Sequence, residues 1–319
     1  MEIERKYLIE KEQLPKNLSD YPFHRIEQGY LCTSPVVRIR RQDDDYFLTY
    51  KSKGLMAREE YNLPLTQEAY EHLKPKADGL VISNIVYELS QTLTGGRINK
   101  IYQPEPDALI LGIKNNRTNY KLLISASASL PLIYLTDDTP ANPAVAPNFC
   151  MLLRKHINGG KILSITQPGL ERILHFHIEH LNEMGDICEK VLIVELMGKH
   201  SNIIFCQPDM TIIDSIKHIS ANVSSVREVL PGRPYFIAET QHKLNPLEIN
   251  EETFIGEVLS QPLSVGKAIY TMITGISPLI AEELCFRASI DSGASTKALS
   301  ELEQLHLYRT FEKLKEDII

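Results

Sequence analysis

The sequence predicts an α+β protein assembled from three unlike stretches. Residues 1–77 alternate charged and apolar side chains, the period of strands with one polar face. Residues 78–245 mix a few helical stretches with many short strand-like runs, and residues 246–319 turn to helical periodicity. Three domains with those bounds are therefore expected: a β-meander, a β-rich α+β domain and a helical region.

In the first stretch, Glu2 to Ile9, Val36 to Arg40 and Phe47 to Lys53 read as strands, with Asp43-Asp44-Asp45 as a turn. Thr66 to Leu73 reads as a short helix with Thr66 as N-cap. In the second, Ile82 to Leu93 is helical and Gly95-Gly96 stops it. Ala108 to Ile113, Lys121 to Ala126 and Leu132 to Leu135 follow as strands. Asn142 to Pro147 forms a rigid connector into a helix over Phe149 to Ile157, ended by Asn158-Gly159-Gly160. Four more strands are expected at Ile162 to Gln167, Arg172 to Ile178, Lys190 to Leu196 and Asn202 to Cys206. In the third, Thr253 to Leu259, Val265 to Met272, Pro278 to Ala288 and Lys297 to Leu314 are helical. Gly275 makes a turn ahead of Ser277 at an N-cap and Pro278 at the first helical position.

Composition narrows the function classes. Hydrophobic residues make up 43% and charged residues 24%, the balance of a soluble globular protein. No apolar run of about 18 residues could span a bilayer, and no secretory signal opens the chain, so a cytoplasmic protein without a membrane partner is expected. Five cysteines (Cys32, Cys150, Cys188, Cys206, Cys285) lie scattered without a CxxC pair, which fits reduced, buried thiols. Lys plus Arg against Asp plus Glu counts 13 to 13 over residues 1–77, 15 to 16 over 78–245 and 6 to 12 over 246–319. No stretch is basic overall, so nucleic-acid binding requires local patches.

Several constellations could carry chemistry. Glu2, Glu4 and Lys6 share one strand face, as do Arg38 and Arg40, Lys51 and Lys53, and Arg58 with Glu60. Cations in that array could neutralise a polyphosphate while carboxylates hold a divalent metal. A solvated face of cross-strand ion pairs explains the residues equally well. Arg154, Lys155 and His156 occupy one short helix, either as a phosphate-facing patch or as helix-end cations favoured by the macrodipole. Glu171-Arg172 reads as an exposed ion pair or as a fork for phosphate. Glu195, Met197, Lys199 and His200 surround a glycine at a strand end, a turn or an approach point for RNA. His175, His177 and His180 are weak metal candidates.

Two resemblances sharpen these readings. EIERKYL, QGYL, VVRIRR, LTYKSKG and AREEYNLPL, in that order, resemble the first half of the CYTH (triphosphate tunnel) family. The resemblance implies a partial antiparallel β-barrel, Glu2 and Glu4 as metal ligands, and Lys6, Arg38, Arg40, Lys51, Lys53 and Arg58 as phosphate contacts. Mg2+ or Mn2+ enters only if that segment is active. Asn62 stands where an acidic residue is common, and the half that closes the tunnel is missing, so little or no triphosphatase activity is expected. From Asp78 onward, DGLVISNIVYEL, TGGRINKIYQP, KLLISASAS, FCMLLRKHINGGKI, QPGLERILHF, VELMGKHSNII and ISPLIAEE resemble the NFACT family of ribosome quality-control factors. The two patterns meet near Lys76 to Ser83, where a fusion is expected.

The NFACT resemblance implies a domain like the N-terminal domain of formamidopyrimidine-DNA glycosylases, followed by the start of a helix–hairpin–helix region. It implies no DNA chemistry and no cofactor. The implied partners are a large ribosomal subunit carrying peptidyl-tRNA and an alanyl-tRNA, with alanine tailing of the stalled chain. The family's early aspartate maps to Asp78 and its Asp-Arg pair to Glu171-Arg172. Arg97, Arg154, Lys155, His156, Glu195, Met197, Lys199 and His200 complete the expected RNA-binding set. One continuous surface around Arg172 and the Arg154-Lys155 helix is expected, as is a chain that continues beyond residue 319 in relatives.

Overall fold

The computed structural model describes residues 26–33, 36–51, 60–67, 69–70, 78–128, 131–138, 141–182, 184–224, 226–237 and 243–316. The chain divides into two compact units, Met1–Lys76 and Ala77–Ile319.

Alternation carries the first unit into an antiparallel sheet in the order β1(Ile26–Thr33), β2(Val36–Gln42), β3(Asp45–Lys51), β4(Glu60–Leu65). The tight β2–β3 turn puts Asp43 at a φ of 53°, a conformation that aspartate tolerates because its short polar side chain bonds locally. Ile39 and Thr49 are fully buried, and Tyr70 packs its ring 5.0 Å from that of Tyr46. Thr66 caps the turn after β4, its hydroxyl accepting from the Ala69 amide at 3.1 Å. The strand expected over Glu2 to Ile9 and the end of the helix at Leu73 lie outside the described residues.

The second unit is built on a nine-stranded antiparallel sheet ordered β13-β12-β11-β10-β9-β5-β6-β7-β8. Its strands are β5(Arg97–Glu105), β6(Ala108–Asn115), β7(Thr118–Ser125), β8(Leu132–Leu135), β9(Lys161–Thr166), β10(Ile173–Leu181), β11(Ile187–Glu195), β12(Asn202–Cys206) and β13(Ile212–Ser215). Two helices, α1(Gly79–Leu93) and α2(Asn148–Ile157), cover one face, burying Leu174, Phe176, Ile178, Leu192 and Val194. Val229 and Tyr235 cover the other face over Ile173, Val191, Ile193 and Ile204. Strands coated on both sides lose polar alternation, and all five residues of β12 are indeed buried.

The helical part follows with α3(Val265–Met272), α4(Pro278–Arg287) and α5(Glu301–Glu316). Its core gathers Phe254, Ile269, Leu284, Leu307 and Phe311, and the Phe254 and Phe311 rings stack at 5.1 Å. Leu80 and Leu170, from the sheet part, belong to the same cluster. No helix among the described residues is long and apolar enough to cross a membrane.

Some expectations need correction. Strand β5 fills a stretch for which no strand was expected, and so does β13. Helix α1 begins at Gly79 because Asp78, not a later residue, caps it. The helix expected over Lys297 to Leu314 is broken: a short turn at Thr296–Ala298 precedes α5. Ser300 starts α5 by a reciprocal capping box, with the Glu303 amide donating to the Ser300 hydroxyl and Glu303 Oε2 accepting from the Ser300 amide at 2.8 Å. The stretch from Thr253 to Leu259 passes from a turn at Glu251–Thr253 into a wider π turn at Phe254–Val258.

Candidate nucleic-acid interface

Residues far apart in sequence meet where α1 begins. The Asp78 carboxylate accepts from the Val81 amide at 3.0 Å through Oδ1 and from the Ser277 hydroxyl at 2.6 Å through Oδ2. The Gln167 side-chain amide donates to the Gly79 carbonyl at 2.9 Å and to the Glu171 carbonyl at 2.7 Å. The two parts of the expected aspartate and acid-arginine set are thus tied through one glutamine. The approach is close enough to demand glycine. A Cβ on Gly79 would lie 1.9 Å from the Leu170 carbonyl oxygen, and one on Gly275 would lie 2.4 Å from the same atom.

Arg172 stands beside this knot, half-buried, just ahead of the first residue of β10. Its guanidinium lies within electrostatic reach of Glu171 and Lys243 yet makes no hydrogen bond or salt bridge among the described residues. Burial pushes the Glu171 carboxyl above its ordinary range, opposed by the charges of Arg172 and Lys243. Burial likewise pulls the Lys243 ammonium down, opposed by Glu171 and assisted by Arg172. Lys243 is held in place by donating to the Tyr270 carbonyl at 2.8 Å. Two cations and one acid, partly withdrawn from water, can receive an anionic oxygen with strengthened hydrogen bonds. Lys243, Gln167 and Ser277 were not among the residues expected from sequence. Ser277 alone carried a signal, its place before Pro278.

The other expected residues lie apart from this knot. Arg154 donates from Nε to the Ile101 carbonyl at 2.8 Å and rests over the Tyr102 ring at 5.8 Å. Arg97 donates to the Gly159 carbonyl at 3.0 Å, tying down the turn that ends α2. The His156 ring packs 5.9 Å from Phe205 and 6.4 Å from His180. His180 is eight residues along β10 from Arg172, roughly 26 Å at the usual strand rise. The expected single surface around Arg172 and the α2 cations is therefore two places, because α2 docks at the opposite end of that strand. Lys155 is exposed at the α2 place.

Glu195 is fully buried rather than facing solvent, paired with Arg227 and accepting from the Tyr235 hydroxyl at 3.0 Å. Met197 is half-buried against the apolar cluster that covers the second sheet face. Lys199 and His200 are exposed on the turn Gly198–His200. That turn is shaped by the Ser201 hydroxyl, which accepts from the Met197 amide at 2.8 Å. His177 bonds Glu189 at 2.8 Å and His180 bonds the Leu181 carbonyl at 3.1 Å. No group of three metal-ligating side chains occurs among the described residues.

In the first unit, Arg38 sits opposite Thr49, Arg40 opposite Phe47 and Lys51 opposite Glu60 in the strand register. Thr49 donates its hydroxyl to the Asn62 side chain at 2.6 Å, so the position where an acid is common holds a neutral acceptor. Glu2, Glu4, Lys6, Lys53 and Arg58 lie outside the described residues.

Comparison with known proteins gives two family matches that overlap over residues 78–130. Residues 1–130 match the CYTH domain, and an inorganic triphosphatase of Nitrosomonas europaea is 34% identical over 91 residues, 27% of this chain and 56% of its own length. The Rqc2 homolog RqcH of Bacillus subtilis is 42% identical over 214 residues, 67% of this chain and 38% of that protein. The chain thus spans about two-fifths of the length of that curated relative. The N-terminal part of the fibronectin/fibrinogen-binding protein from Streptococcus suis superposes with a TM-score of 0.62 at 34% identity, covering 74% of this chain and 85% of that one. Residues 78–319 match the NFACT N-terminal and middle domains, and the chain belongs to the NFACT family.

Proposed function

We propose that this chain is an RNA-binding factor of ribosome-associated quality control in the cytoplasm. It holds an alanyl-tRNA on a large subunit obstructed by peptidyl-tRNA and supports alanine tailing of the stalled chain. It does so without a catalytic residue or cofactor of its own. The observation that carries this reading is Arg172, a half-buried guanidinium with no hydrogen-bonded partner among the described residues, within electrostatic reach of Lys243 and next in sequence to Glu171, whose carbonyl is tied to the Asp78 helix start through Gln167. Such a group is suited to a phosphate, whose oxygens accept from its planar fork. Family membership and the likeness to RqcH support the choice of partner. Arg172→Ala is expected to weaken tRNA binding about tenfold or more and to lower its salt dependence by about one phosphate contact. Filter binding of deacylated tRNA across a salt series measures both. Unchanged binding and unchanged slope would overturn the assignment.

A second reading concerns the first unit, whose likeness to an inorganic triphosphatase favours a triphosphate ligand. A tunnel enzyme needs a closed barrel, whereas β1 to β4 form an open row among the described residues. Phosphate release from tripolyphosphate with Mg2+ or Mn2+ is expected to stay at background. Turnover that Glu4→Gln abolishes would establish the hydrolase instead.

A further inference from the structure

Both oxygens of the Asp78 carboxylate are committed to protein donors at the starts of two different helices. Oδ1 caps α1 by accepting from the Val81 amide at 3.0 Å. Oδ2 accepts from the Ser277 hydroxyl at 2.6 Å, and the same hydroxyl oxygen accepts from the Ile280 amide at 3.3 Å, capping α4. A single relay therefore runs from one helix start to the other. It joins residues 199 positions apart in the chain. The backbone repeats the link: the Gly79 amide donates to the Gly275 carbonyl at 3.1 Å, beside the Leu170 carbonyl that leads into Glu171-Arg172.

We infer that Asp78 and Ser277 are positioning residues: together they staple the helical part to the start of α1 and so set the direction in which Arg172 is presented. The inference rests on the RNA-binding reading above but can fail separately from it. An acid at such a place invites the idea of direct contact with an amino group of the RNA or its aminoacyl ester. The two helix starts supply a sufficient reason for the charge, because the positive ends of two helix dipoles converge on one carboxylate.

The test uses the full chain and deacylated tRNA, with five variants: Asp78→Ala, Asp78→Asn, Ser277→Ala, Ser277→Thr and the double Asp78→Ala/Ser277→Ala. Asn accepts from Val81 and donates to Ser277, and Thr keeps the bridging hydroxyl. Stapling predicts that Asp78→Ala and Ser277→Ala each weaken binding about five- to tenfold, as the loss of a helix cap suggests, and that the double variant is no worse than either. It predicts that Asp78→Asn and Ser277→Thr stay within about twofold, and that the salt slope is unchanged in all five, because no phosphate contact is lost. Hydrogen exchange at the Val81 and Ile280 amides should accelerate together in both alanine variants. A silent Ser277→Ala beside an Asp78→Asn as damaging as Asp78→Ala would overturn the staple in favour of direct contact. If Arg172→Ala leaves tRNA binding intact, the functional reading falls. The exchange data then decide the staple alone, and acceleration at Val81 without acceleration at Ile280 rejects it.

Discussion

At the scale of single residues, the same side-chain type serves opposite purposes in different surroundings. Glu195 is the last residue of β11 and Glu171 lies just ahead of β10, both in motif-like stretches, yet Glu195 is sealed in with Arg227 and Tyr235 while Glu171 borders an open guanidinium. Sequence offered no means of telling them apart, because the partner of Glu195 lies 32 residues later in an irregular segment. His175 shows a sharper contrast. Its Nε2 is buried without a hydrogen-bond partner among the described residues, and burial together with neighbouring His177 pulls its pKa from the ordinary 6.5 to about 4. The unfolded chain binds a proton there between those two values and the folded chain does not. The resulting stability is present above pH 6.5 and lost as pH falls from 6.5 toward 4. Urea midpoints at pH 7 and pH 5 should differ, and His175→Leu should shrink that difference. An unaltered difference in the variant would assign the acid loss to other groups.

At the scale of elements, the legible features were those with local causes. Apolar periodicity and a stop at Gly95-Gly96 sufficed for most of α1, and Ser277-Pro278 announced the start of α4. Strand β5 was missed because it mixes Arg97, Asn99 and Lys100 with a proline at position 104 and owes its pairing to β6 and β9 rather than to propensity. The capping box at Ser300 and Glu303 was written in the sequence, but continuous helical periodicity around it masked the break. The knot at Gly79 was beyond reach, since nothing local says that a carbonyl from residue 170 will occupy the space of its missing Cβ. Gly79→Ala is accordingly expected to destabilise the second unit by about 3 kcal/mol, the upper range for forced overpacking. Its first unit should be untouched. Chemical denaturation followed by tyrosine fluorescence would show this as a lowered midpoint in one transition. A variant as stable as the parent would mean that the Leu170 turn can yield.

At the scale of the whole molecule, the division into Met1–Lys76 and Ala77–Ile319 predicts where the chain is vulnerable. Brief proteolysis should cut between residues 70 and 78 before it cuts within the sheet of the second unit, leaving a fragment that starts near Asp78. That fragment should unfold at the midpoint of the corresponding transition in the intact chain, as measured by calorimetry. A shifted midpoint would reveal mutual stabilisation of the two units. The α+β class was readable from periodicity alone. The separation of Arg172 from the α2 cations was not, because it depends on which end of β10 each element reaches.

The large sheet begins and ends in strands of only four residues, Ile212–Ser215 on one side and Leu132–Leu135 on the other. Borders that short give an incoming extended peptide almost no ladder to join. A partner of this unit cannot gain much by adding itself as another strand, the route many peptide-recognition domains use. Contacts through side chains and backbone groups at turns and helix starts then carry more of any binding, which is the kind of contact the RNA-binding proposal above requires.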